Sequence, residues 1–116
     1  MEGSRLHHEQ LDAYKVAIEF LARAIRISEA IPRGHGPLAE QLRRASVSIP
    51  LNIAEGYGKR TFADRSRFYD IARGSAHECG AIIDVLKVLG LIAEEDFSRG
   101  KNLLYRTVSM LVRMVA

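Results

Sequence analysis

His77-Glu78-Cys79 is the run in this chain that most invites a chemical reading, with an imidazole, a carboxylate and a thiol on adjacent residues. A base and a nucleophile act together only within hydrogen-bond reach of one another. Residues two apart on a helix project to opposite sides, so His77 and Cys79 do not meet. A zinc-protease motif needs a second histidine four residues after the first, and that position is Ala81. Cys79 falls among apolar positions, where a small thiol serves as packing. His7-His8-Glu9 offers adjacent histidines that point apart, which suits weak, adventitious metal binding and no more. Gly56-Tyr-Gly58 lacks the Gly-x-x-x-x-Gly-Lys-Ser/Thr pattern of a phosphate loop and reads as a helix stop. Tyr57 beside it either covers the end of the fold or, if exposed, stacks on a base. Asn52 and Glu55 are polar groups in a packing helix and read as structural. No set completes a catalytic centre, so a non-enzymatic protein without metal or cofactor is expected.

The charges carry more information. The net charge is +3 and the isoelectric point about 9.3, a mild excess that permits an anionic partner without demanding one. Asp12 with Lys15, and Glu19 with Arg23, stand at helical contact spacing and neutralise one another locally. After Asp96 there is no acid, while Arg99, Lys101, Arg106 and Arg113 remain. Arg99, Arg106 and Arg113 recur every seven residues and share one helix face. A second group, Arg43, Arg44, Lys59, Arg60, Arg65 and Arg67, faces only Glu55 and Asp64. Guanidinium groups pair with phosphate oxygens through two parallel hydrogen bonds. These nine cations, excluding Lys101, are the nucleic-acid-binding candidates, in a sequence-tolerant and salt-sensitive mode. The same arginines would serve equally to bridge carboxylates or subunits.

The elements that must position them are helical. The chain has 116 residues, suited to one domain spanning 1–116, with 47% hydrophobic residues, no Trp and β-branched residues scattered through it. Helices are expected over about 8–30, 37–57, 62–89 and 94–114. Pro32-Arg-Gly-His-Gly-Pro37 is turn chemistry, and Pro37 suits a first helical turn. Glycine at 56–58 suits a left-handed helix stop. Thr61 with Asp64 resembles a capping box, and Glu94-Glu-Asp96 suits the positive end of a helix dipole. Short connections give an all-α, antiparallel up-down four-helix bundle. Pro50 would kink or split the second helix, and Ser46, Ser48 and Asn52 stand ready to satisfy the carbonyl it frees. No apolar run reaches the ~18 residues of a membrane span. The N-terminus lacks a signal-peptide layout, and a single cysteine suits a reducing cytoplasm.

Helix 3 is amphipathic on one side, with Phe68, Ile71, Ala72, Ser75, Cys79, Ile82, Ile83, Leu86 and Leu89 in one sector. Helix 1 carries two apolar stripes. Leu11, Tyr14, Ile18, Leu21 and Ile25 form one; Val16, Phe20, Ala24, Ile27 and Ile31 form the other. Helix 4 is also broad, with Leu103, Met110 and Met114 beside Phe97, Leu104, Val108, Leu111 and Val115. A small bundle has room for one stripe per helix, and larger exposed patches mark interfaces. Val16, Phe20, Ile27, Ile31, Leu103, Met110 and Met114 are therefore assigned to subunit contacts of a homo-oligomer; a tightly wrapped core is the other reading.

The segment QLRRASVSIPLNIAEGYGK, followed by FYDIARGSAHECGAIIDVLKVLGLI, closely resembles the four-helix-bundle proteins of the ribosomal-RNA intervening-sequence family. The resemblance rests on Arg43-Arg44, the Ser48–Gly56 core containing Pro50, Asn52 and Glu55, and Ala72–Ser75, within a match over roughly 11–115. It implies a ring-shaped homopentamer and association with RNA. Ile31-Pro-Arg-Gly-His35 is also similar to the accessory variability determinants of diversity-generating retroelements. That likeness would imply a scaffold binding nucleic acid and a reverse transcriptase.

Overall fold

The computed structural model describes the backbone of residues 2–116 and the side chains from Asp12 onward. Four helices follow one another: α1 Glu2–Glu29, α2 Gly36–Tyr57, α3 Phe62–Val88 and α4 Glu94–Met114. A single 3-10 turn, Arg33–His35, fills the first connection. The connections are too short for anything but antiparallel neighbours. Each helix packs on two others, α1 on α2 and α4, α3 on α2 and α4, so the bundle closes as a square in chain order.

Local chemistry sets the helix ends. Thr61 accepts a hydrogen bond from the backbone N–H of Asp64 at 3.1 Å and so starts α3. Gly90, at φ 72°, takes the left-handed turn that releases the chain after α3. Gly58 does not act this way. Its φ is −79°, and its N–H closes onto the carbonyls of Ala54 and Glu55 as an ordinary final turn.

α2 runs through Pro50 as one helix and does not split. The side chains around it are hydrogen-bonded in a different arrangement from the one the spacing suggests, none of them to the Ser46 carbonyl that Pro50 frees. The Asn52 amide donates to the Ser48 carbonyl at 2.8 Å and to the Ser48 hydroxyl at 3.0 Å. Ser48 and Ser75 hydroxyls meet at 2.8 Å across the α2–α3 seam. Ser46 turns back to donate to the Arg43 carbonyl. Lower in the same seam Gly56 lets α3 come close. A Cβ there would stand 2.7 Å from the Tyr69 ring and 3.1 Å from Phe68 Cβ.

The core runs the length of the bundle, from Ile53, Tyr69 and Leu111 through Phe20, Ile49, Cys79 and Leu103 to Leu42, Ile83 and Leu86. Here the structure corrects the interface assignment. Val16, Phe20, Ile27, Ile31, Leu103 and Met114 are buried within the protomer, and Met110 is partly buried against the same core. The reason is the alanines. Ala13, Ala17 and Ala24 lie between those large residues on α1 and are themselves fully buried. They let the neighbouring helices close over a wider arc than one stripe. On α3 the predicted core positions Ile71 and Leu89 are exposed, and Tyr69 is buried in their stead.

Candidate nucleic-acid interface

The two ends of the bundle handle charge differently. At the end where α1 and α3 finish and α4 begins, ion pairs cross between helices. Arg23 meets Asp96 at 2.7 Å and Arg99 meets Glu19 at 2.6 Å, joining α1 to α4. Lys101 meets Asp84 at 2.7 Å and Lys87 meets Glu94 at 3.4 Å, joining α3 to α4. Both lysines also lie over the Phe97 ring, Lys87 at 4.1 Å and Lys101 at 5.6 Å from its centroid.

At the opposite end, where α2 passes into α3 and α4 finishes, contacts are local. Lys59 pairs with Glu55 one turn back, and Arg67 reaches Asp64 only at 3.9 Å. Both cations sit over the Phe68 ring. Arg65 donates to the carbonyls of Lys59 and Arg60, so it holds the α2–α3 connection. Carboxylates are sparse here, and cations remain over. Arg60 in this connection has no partner among the described residues, and neither do Arg106 and Lys15, nearer the middle of α4 and α1.

The nine cations singled out by spacing therefore separate. Arg43 donates to the Ser28 hydroxyl across the α1–α2 seam, and Arg99 is held by Glu19. Lys59, Arg65 and Arg67 are committed as described, and Arg113 is engaged as well. The heptad line Arg99, Arg106 and Arg113 shares one face of α4 but not one occupation. Arg44, Arg60 and Arg106 are exposed and open to an anion. Lys15 was missed because it stands three residues from Asp12, a spacing that suggests local pairing. Tyr105, 72% exposed on the crest of α4, was missed too. Its signal was its place between Leu104, which faces the core, and Arg106.

The candidates for chemistry do not assemble. Cys79 is fully buried, and burial pushes its thiol up to about 12, so it carries no reactive thiolate near neutral pH. His77 is exposed on the other side of α3. Among the described residues no group of three histidines, cysteines or carboxylates stands close enough to hold a metal. His7, His8, Glu9 and Leu11 lie outside the described side chains. No helix is long and apolar enough to cross a membrane among the described residues.

The chain matches the family model of the 23S rRNA-intervening sequence protein over residues 9–113. It belongs to that family. The fold agrees with a crystal structure from Bacteroides thetaiotaomicron, a protein of unknown function from the S23 ribosomal protein family. The TM-score is 0.84 at 19% identity, over 92% of this chain and 97% of that one. No curated protein matches the chain.

In this intervening-sequence protein the motif that carries the resemblance works as a seam. Ser48, Asn52 and Ser75 join α2 to α3, Gly56 admits Tyr69, and Pro50 is buried. Glu55 points outward to Lys59. The motif's outer face is apolar: Leu51 is 62% exposed and Val47 37%. Glu19 and Arg23 turn the polar flank of α1 towards α4. The opposite flank, with Tyr14 and Ile18 both 39% exposed, therefore borders α2. The Arg43–Ser28 bond fixes the register of α2 beside it. Tyr14, Ile18, Leu21 and Ile25 thus continue across the seam into Val47, Leu51 and Ala54. Tyr14, Ile18, Val47 and Leu51 are exposed along it.

Proposed function

We propose that this intervening-sequence protein is a non-enzymatic, cytoplasmic RNA-binding protein that works as a homo-oligomer, a homopentamer by family resemblance. The observation that carries the reading is a set of exposed cations without partners among the described residues: Arg60 in the α2–α3 connection, and Lys15 and Arg106 facing one groove near the middle of α1 and α4. Phosphate neutralisation by such groups releases counterions and is indifferent to sequence. Repetition of these cations around a ring multiplies a modest charge into a strong field. The subunit contact falls on the α1–α2 face through Ile18, Val47 and Leu51, whose exposure in a lone protomer is costly.

Filter binding of RNA across a salt series tests the first part. Each of Arg60→Gln and Arg106→Gln is expected to lower the slope of log affinity against log salt by about one. Absence of retention at low salt removes the RNA reading. Light scattering tests the second part. Leu51→Glu is expected to yield a folded, smaller species, and a wild-type monomer at micromolar concentration would show that the face serves something else.

A further inference from the structure

Tyr105 stands on the ridge of α4 between two grooves, and the two are chemically unlike. Between α1 and α4 lies a groove of about 560 Å³, lined by Lys15, Arg106 and Ser109 among others. Its carboxylates are occupied: Glu19 is held by Arg99, and Asp12 is engaged. Lys15 and Arg106 are left without partners among the described residues. Between α3 and α4 lies a second groove of about 340 Å³ with a floor of Leu104 and Val108 and a wall of Gly80 and Ala81. A Cβ at Gly80 would meet Leu104 at an ordinary contact distance of 3.9 Å. One end is closed by the Lys101–Asp84 pair. Tyr105 borders both grooves, and its ring is the most exposed aromatic among the described residues.

We propose that Tyr105 is a stacking platform for an unpaired RNA base, which rests in the α3–α4 groove while Arg106 and Lys15, across the ridge, hold its flanking phosphate. This rests on the RNA-binding reading and adds a defined seat to it. An apolar floor beside an exposed ring suits a base, whose faces are hydrophobic and whose stacking needs no particular sequence. A cationic groove one side chain away suits the phosphate. An acidic peptide would use Arg106 and Lys15 but has no reason to use the ring, so the ring separates base from mere anion.

Fluorescence anisotropy of a labelled oligouridylate, with inorganic polyphosphate as the base-free comparison, tests the seat on the full chain. Tyr105→Ala is expected to weaken oligouridylate binding about tenfold and to leave polyphosphate binding unchanged. Tyr105→Phe is expected to bind as the wild type. Arg106→Gln is expected to weaken both ligands. The chain has no Trp, so Tyr105→Trp supplies a lone indole whose emission should be quenched by oligouridylate and not by polyphosphate. Equal loss of both ligands in Tyr105→Ala would overturn the stacking role, as would wild-type oligouridylate affinity in that variant. If Arg44→Gln and Arg60→Gln weaken RNA binding while Tyr105→Ala and Arg106→Gln do not, the RNA reading stands and this seat falls. If the wild type binds no oligouridylate at low salt, both fall.

Discussion

The ion-paired end and the basic end of this bundle use the same residue types for opposite purposes. At the first, Arg23, Arg99, Lys87 and Lys101 meet carboxylates on neighbouring helices and clamp the start of α4 from both sides. At the second, α2 and α3 are held by close packing of Gly56 on Tyr69 and by the Ser48–Asn52–Ser75 hydrogen bonds. Arg60 there is free of that duty, and Arg106 and Lys15, nearer the middle of the bundle, are likewise left to the solvent. A charge spent on a helix partner is a structural device. A charge left over beside packed apolar residues is available for a ligand.

If packing holds the basic end, the largest effect should come from removing its central ring. Tyr69→Ala is expected to cost about 3–5 kcal/mol in urea denaturation, because the fully buried ring leaves a cavity. A cost below that of an ion-pair variant would break the comparison. At the other end, Arg23→Gln should cost about 1 kcal/mol, since Arg23 and Asp96 remain partly in contact with water. That increment should shrink at about 1 M salt, where surface charges are screened, whereas the Tyr69→Ala cost should not. Denaturation midpoints of both variants at low and high salt would check this.

The smallest expected change sharpens the contrast further. The Tyr69 hydroxyl is buried without a hydrogen-bond partner among the described residues. Its removal in Tyr69→Phe should raise rather than lower stability at neutral pH, by about 1 kcal/mol or less, because a buried hydroxyl without a partner carries a desolvation cost. A further effect should appear in alkali. Burial raises the Tyr69 phenol from 10.0 to about 12, against a smaller opposite pull from Arg65. Burial likewise raises the Cys79 thiol from 9.0 to about 12, with the Glu78 carboxylate adding to it. In both cases the folded state holds the proton more tightly than the unfolded one. Stability is therefore level below about pH 9 and falls as pH rises towards about 12. Tyr69→Phe should flatten that alkaline limb, measured by circular dichroism against pH. Arg23→Gln should leave it unchanged.

Much of this was legible in the sequence, and the failures have definite causes. Periodicity and caps place α2, α3, α4 and the end of α1 within a residue, and Thr61 starts α3 as its chemistry requires, whereas α1 begins at Glu2, six residues before the expected position. Gly58 misled because a glycine near a helix end permits a left-handed turn without requiring one. The two stripes of α1 misled more deeply. A helical wheel gives the angle between stripes and not the direction of the bundle axis. Both Tyr14–Ile18–Leu21–Ile25 and Val16–Phe20–Ala24–Ile27 are apolar; the second is buried in the core, while the first lies on its flank with Tyr14 and Ile18 exposed. The overlooked signal was Ala13, Ala17 and Ala24, whose small side chains mark the face where helices come closest.

Sequence alone determined where α2, α3 and α4 begin and end, that the helices alternate in direction, and which family motif lies on α2. Those are short-range matters of hydrogen-bonding, turn chemistry and apolar spacing. Tertiary structure decided which cations are spent and which remain. Arg99 and Glu19 lie 80 residues apart in the chain yet 2.6 Å apart in space. Arg106, one heptad further along the same face, finds no such acid among the described residues. Ion pairing depends on distances that no local pattern encodes, so the functional surface emerges only when the four helices are brought together.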